Sequence, residues 1–274
     1  MKRVLLFALM VLAVFAVLSN LSDLSNLSDL EPKPKVEILR VALVADSHNE
    51  NELLAKALAQ AKSQNVDFVI GLGDYTNLGT IDELSAAKKV FDESGLAYYV
   101  IPGDRDGWDS RQRGEANTFN FAQVFGSAEQ NEQTFSKNGV QFVLVDNSDI
   151  YSLSDLSILS NLSNLNRGRL VFVFAHKTPF HPDSSHIMGE DSAAVARQAK
   201  EFLELLEKNR VDGFFAGDMH FFARFSATGG SPKNSVKITT VGAVAQERNF
   251  QGPRFAVLKV YEDYSWEVED LEIK

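Results

Sequence analysis

Five times along this chain a strand-length apolar run ends abruptly in a loop bearing aspartate or histidine. Glu37 to Ala45 meets Asp46-Ser47-His48, Asp67 to Leu72 meets Gly73-Asp74, and Ala97 to Ile101 meets Gly103-Asp104-Arg105-Asp106. Leu170 to Ala175 opens onto His176, and Gly213 to Ala216 onto Gly217-Asp218-Met219-His220. A strand that repeatedly stops at the same kind of polar loop suits an α/β sheet, in which sites form beyond the carboxyl ends of the strands. The pattern predicts two packed sheets with helices outside, and one crevice rich in carboxylate and imidazole.

The segments between these runs carry helix signals. Asn49 and Glu52 stand in capping-box spacing before an apolar face of Leu53, Leu54, Ala57, Leu58 and Ala61. Thr80 and Glu83 form a second such box, and Gly95 ends that helix after Leu84, Ala87 and Phe91. Ala194 to Lys208 is amphipathic, with Phe202, Leu203 and Leu206 facing in. Val140 to Val145 reads as a further strand. Arg254 to Tyr261 and Ser265 to Glu272 read as a hairpin around Glu262-Asp263-Tyr264.

The first 35 residues are of another kind. Lys2-Arg3 precede an unbroken apolar run, Val4 to Leu18. Its fifteen residues span about 22 Å as a helix, short of a hydrocarbon core of about 30 Å. Residues 1–18 therefore read as a secretory signal or a short membrane anchor, and the protein as secreted or membrane-anchored on the extracytoplasmic side. Residues 19–35 repeat Ser-Asn-Leu-Ser-Asp-Leu and close with Pro32 and Pro34, the mark of a linker. The same three-residue leucine spacing returns from Leu153 to Leu165, where a short surface helix or 3₁₀ turn is expected. Residues 36–274 make up the folded domain. Net charge is −10, and removing residues 1–18 takes away two cations and no acid, leaving −12. That balance argues against nucleic acid as a partner. With no cysteine in the chain, any metal must be held by nitrogen and oxygen.

Taken singly the polar loops are ordinary. Asp-Ser-His also suits a helix cap, and Gly-Asp a tight turn. The ordered set is more specific: Asp-x-His, Gly-Asp, Gly-Asp-x-Asp, His, Gly-Asp-x-His, each at a strand end. This set resembles the calcineurin-like metallophosphoesterase superfamily, whose pattern is Asp-x-His, Gly-Asp, Gly-Asn-His-Asp/Glu, His, Gly-His-x-His. The resemblance covers Val36 to the C-terminus. It implies a four-layer αββα sandwich of two mixed sheets flanked by helices, and two divalent metal ions bridged by an aspartate and a hydroxide. By the same resemblance Asp46, His48 and His220 would hold the first ion, Asp74 would bridge, and Asp104, His176 and Asp218 would hold the second. Asp74, Arg105 and Asp106 would then be the catalytic residues.

Three positions depart from the pattern. Asp104 stands where the family has Asn, Arg105 where it has His, and Asp218 where it has His. Four carboxylates and a hydroxide against two divalent ions leave −1, where the family pattern leaves +1. The added oxygen donors favour Mn, Mg or Fe over Zn. Arg105 can grip phosphate oxygens but cannot act as an acid. His181 and His186 are either replacements for that acid or ordinary surface histidines. Phe221, Phe222 and Phe225 read as core strand residues before a substrate platform. Arg248-Asn249 could reach the site rim but reads first as an ordinary loop, and Trp108 reads as a residue that could line a pocket.

The leading expectation is metal-dependent hydrolysis of a phosphate ester, as phosphomonoesterase or phosphodiesterase, on a phosphorylated small-molecule or lipid substrate. The alternative is a degenerate relative that binds metal or a phosphorylated ligand without turnover. A structural Ca²⁺ scaffold is a third reading, and the histidines speak against it.

Overall fold

The computed structural model describes residues 34–126, 134–149, 170–190, 192–230 and 235–274. The expected signal or anchor, most of the linker and the second leucine repeat lie outside these residues. Among the described residues no helix is long and apolar enough to cross a membrane.

Glu37–Lys274 forms one compact unit with two mixed sheets. The first contains β1 (Glu37–Val44), β2 (Phe68–Gly71), β3 (Tyr98–Val100), β10 (Arg254–Tyr261) and β11 (Trp266–Glu272), ordered β11-β10-β1-β2-β3. β1, β2 and β3 run parallel, and β10 pairs antiparallel with β1 and β11. The second contains β4 (Thr134–Lys137), β5 (Val140–Leu144), β6 (Leu170–Ala175), β7 (Gly213–Ala216), β8 (Ala223–Ala227) and β9 (Val236–Thr240), ordered β4-β5-β6-β7-β9-β8. β5, β6, β7 and β9 are parallel, and antiparallel β4 and β8 close the edges.

The two-residue period of each strand sorts its side chains into layers. Leu39, Val41 and Leu43 of β1 and Phe68 and Ile70 of β2 meet Phe142, Phe172, Phe174 and Phe215 in the core between the sheets. Phe174 stacks on Phe142 and Phe215 with centroids 5.9 and 5.0 Å away. The alternate residues Ala42, Val44 and Val69 face helices α1 (Asn51–Ser63), α2 (Ile81–Ser94) and α4 (Phe119–Phe125), beyond the short α3 (Trp108–Gln112). On the other side Val173, Ala175 and Phe214 pack under Val195, Phe202 and Leu206 of α5 (Ala193–Lys208). The result is the four-layer αββα sandwich, and strands buried on both faces explain the near-continuous apolar runs.

One helix signal is corrected. Asn49 and Glu52 do not form a capping box: α1 begins at Asn51, its N-cap is Glu50, and no side chain caps it. Asn49 is left-handed (φ 67°), whereas a capping side chain needs an extended residue. Asn49 Nδ2 instead donates to Glu83 Oε1 at 2.7 Å. Glu83 completes the box that does form, at Thr80, so α2 is tied to the loop following β1.

Candidate metal centre

The parallel strands of both sheets end at one edge of the sandwich, and the polar loops continue from them. The loop after β1 zips onto the loop after β2: Asp46, His48 and Asn49 donate backbone N–H groups to the carbonyls of Gly73, Asp74 and Tyr75 at 3.0, 3.0 and 2.9 Å. The packing is close. A Cβ on Gly73 (φ 92°) would run into Gly103 and the His176 ring, and one on Gly103 would collide with the Asp74 carboxylate. Left-handed backbone concentrates here. Asp46 (φ 54°), His48 (42°), Asp74 (53°), Asp218 (63°) and His220 (58°) all adopt it. Such conformations cost on the order of 1–3 kcal/mol each and cluster where function demands a particular side-chain direction.

All seven residues that the resemblance assigned to metal binding come together. Three groups have donor atoms within 4.8 Å of one another: Asp46, His48 and His220; Asp46, Asp74 and His176; and Asp104, His176 and Asp218. His48 Nε2 lies 3.1 Å from His220 Nε2, the spacing of two nitrogens each about 2.1 Å from one ion. Asp74 sits between the halves, with Oδ2 3.8 Å from His48 Nε2 and Oδ1 3.4 Å from His176 Nε2. His176 Nδ1 lies 2.7 Å from the Leu72 carbonyl. A carbonyl only accepts, so Nδ1 carries a proton and Nε2 is the nitrogen turned to the carboxylates. That atom is 3.8 Å from Asp104 Oδ1 and 3.6 Å from Asp218 Oδ1.

The donor set fits divalent cations. Asp46 Oδ2, His176 Nε2 and Asp218 Oδ2 are buried, face the cluster and have no hydrogen-bond partner. Leaving such atoms orphaned is expensive, and a coordinated ion is what would satisfy them.

The two halves differ in charge balance. Burial pushes the carboxyls of Asp46 and Asp74 above their usual range, against the pull of His220 and His176 on Asp46 and of His176 on Asp74. Burial and the neighbouring His220 take His48 down to about 4. In the other half burial acts in the same sense, but protein cations outweigh it. His176 and Lys177 hold Asp104 below the carboxylate range, and His186, Lys177 and His176 do so for Asp218.

Lys177 is the residue that the sequence did not single out. Its ammonium is 3.1 Å from Asp104 Oδ2 and 3.7 Å from Asp218 Oδ1. Burial would lower its pKa, but Asp218 and Asp104 raise it on balance. The only sequence signal was its place beside His176.

The remaining candidates separate. Asp106, expected to be catalytic, is fully buried, and its oxygens are taken up by the N–H groups of Gly103, Tyr75 and Thr76 and by the Thr76 hydroxyl. It is a clamp on two ligand loops, with burial pushing its pKa up to about 6. Arg105 and Arg248 line a cavity of about 180 Å³ together with His48, Asn77, Leu78, His220 and Glu247. Trp108 lies under the Arg105 guanidinium at 5.7 Å. His186 reaches Asp218 Oδ1 at 3.5 Å and Glu190 at 2.6 Å, whereas His181 packs against Phe221 and Phe225. Phe222 and Phe225 join the cores. Phe221 does not, and contacts the exposed Phe250. Asn249 turns inward to the carbonyls of Ala243 and Ala245.

Comparison with known proteins agrees with this geometry. The family model "Calcineurin-like phosphoesterase" matches residues 39–222. Among curated proteins nothing matches. Among solved structures, a dimetal phosphatase from Danio rerio superposes with a TM-score of 0.63 at 17% identity, covering 87% of this chain and 99% of its own. A purple acid phosphatase from yellow lupin gives 0.61 at 14% identity over 88% and 52%. A Thermus thermophilus protein, TT1561, gives 0.51 at 12% over 85% and 99%. At these identities the structural likeness speaks for the fold.

Proposed function

The chain belongs to the calcineurin-like phosphoesterase family of metal-dependent phosphoester hydrolases, and from that premise we propose that it cleaves a phosphorylated small molecule at a two-ion centre. The observation that carries this reading is Asp74, whose two oxygens face the His48–His220 half and the His176 half. Asp46, His48, Asp74 and His220 would hold one ion, and Asp74, Asp104, His176 and Asp218 the other. Ions held there supply Lewis acidity towards phosphoryl oxygens and a lowered pKa for water. Oxygen-rich ligation favours Mn, Mg or Fe over Zn.

The chain's own residues do the rest. Arg105 and Arg248 border the cavity beside His48 and His220 and are placed to grip phosphoryl oxygens. Arg105 has no proton to give a leaving group. His186, at the edge of the cluster, stands beside Asp218, and that carboxylate raises its pKa to about 9. Lys2-Arg3 and the apolar run after them support export or tethering of the domain.

A second reading, metal binding without turnover, is favoured by two departures from the family pattern. Arg105 occupies the position of the family's acid and the cluster carries two carboxylates more than the family pattern. Purified protein loaded with Mn²⁺ should hydrolyse members of a phosphomonoester and phosphodiester panel, stop on chelation, and lose about 10²–10³-fold in rate as Asp74→Asn. Chelator-insensitive turnover would remove the metal centre, and no turnover by fully loaded protein would favour the second reading.

A further inference from the structure

Asp104 and Asp218 exceed the family pattern by two negative charges, and they are the two carboxylates that Lys177 reaches. Its ammonium lies 3.1 Å from Asp104 Oδ2 and 3.7 Å from Asp218 Oδ1. The approach is built in. Asn147 Oδ1 accepts from the N–H groups of both His176 and Lys177 at 2.9 and 3.0 Å, and Asn147 Nδ2 donates to the Lys177 carbonyl at 2.7 Å. The lysine side chain is 11% exposed, so the charge is delivered inward rather than to solvent. Nothing equivalent serves the other half. Among the described residues neither Asp46 nor Asp74 has a lysine or arginine within ion-pair distance.

Asp218 Oδ1 is the point of conflict. His176 Nε2 stands 3.6 Å from it, Lys177 Nζ 3.7 Å and His186 Nε2 3.5 Å. Asp218 Oδ2 is free for an ion, but an ion held there and by His176 lies beside the ammonium on Oδ1, and two cations so close repel strongly in a buried site.

Resting on the metal-centre reading above, we propose that Lys177 is a resident cation of the second half: it neutralises Asp104 and Asp218, and an ion enters there only against it. The chain therefore holds one ion tightly, among Asp46, His48, Asp74 and His220, and a second one loosely. Lys177 sets that difference as a positioning residue, without touching the reacting atoms.

The test is ion binding, read apart from activity. Metal-stripped full-length protein is titrated with Mn²⁺, free ion is followed by electron paramagnetic resonance, and ion–ion coupling marks double occupancy. Wild type should bind one ion at least about tenfold tighter than the second. Lys177→Met should strengthen the second ion by about tenfold or more and leave the first unchanged, with the coupled spectrum appearing at correspondingly lower Mn²⁺. If Lys177→Met does not fold, Lys177→Gln should shift in the same direction, and so should the double variant Asp104→Asn, Lys177→Met when it is compared with Asp104→Asn alone. Two ions of equal affinity in wild type, or no gain in the folded variants, would overturn the proposal and leave the metal centre standing. Failure of wild type to bind any ion would remove both.

Discussion

The two halves of the centre use the same kinds of ligand but meet their charge in opposite ways. The half built by Asp46, His48 and His220 comes from the ends of β1 and β7 and, among the described residues, has no lysine or arginine paired to its carboxylates. The half built by Asp104, His176 and Asp218 already contains Lys177 and has His186 at its edge. Depressed carboxyls on one side and raised ones on the other follow from that. A site short of positive charge must import it, whereas one that carries its own can wait. The contrast teaches that an added carboxylate is read correctly only together with the cation that accompanies it.

The sharpest way to break the contrast is to remove one ligand from each half. His48→Ala should weaken the first ion by about a hundredfold or more and take activity with it, while Asp218→Asn should leave that ion's affinity within about threefold. Equilibrium dialysis with elemental analysis reads both, and equal losses would show that the halves are not independent.

Asp106 tests whether the difference depends on a rigid frame. Its carboxylate satisfies three buried N–H groups and the Thr76 hydroxyl. Asp106→Ala should cost about 3 kcal/mol of unfolding free energy in urea, and lower kcat through loosened loops around Asp74 and Asp104. A variant as stable as wild type would mean that the clamp is dispensable.

The smallest expected effect is at the outer tie of the first half. Thr80→Ala removes the side-chain cap of α2 and should cost about 1 kcal/mol, with metal affinity unchanged. A loss of several kcal/mol, or of the ion, would mean that the Glu83–Asn49 link does more than hold the loop.

Much of this arrangement was legible in the sequence because it is local. The layers follow from alternation along β1, β2 and β6, and the Thr80 box and the left-handed Gly95 cap are set within a few residues. Every metal-binding candidate, from Asp46 just after Ala45 to His220 shortly after Ala216, follows closely on a strand's last apolar position, so finding strand ends found them. What escaped depends on contacts far apart in the chain. Asn49 reads as a cap until Glu83, 34 residues on, claims its side chain. Asp106 reads as a catalytic candidate until the turn at Tyr75 and Thr76 takes up its oxygens. Lys177 has no spacing signal of its own, because its meaning arises only when the ends of β3 and β7 bring Asp104 and Asp218 to it from distant parts of the sequence.

Where a single equivalent of cation settles is the most direct check. Crystals of metal-stripped protein given one equivalent of Mn²⁺ should show one anomalous peak, enclosed by Asp46, His48, Asp74 and His220, with the Lys177 ammonium still against Asp104. A peak between His176 and Asp218 with that ammonium swung away, or equal peaks in both halves, would contradict the account.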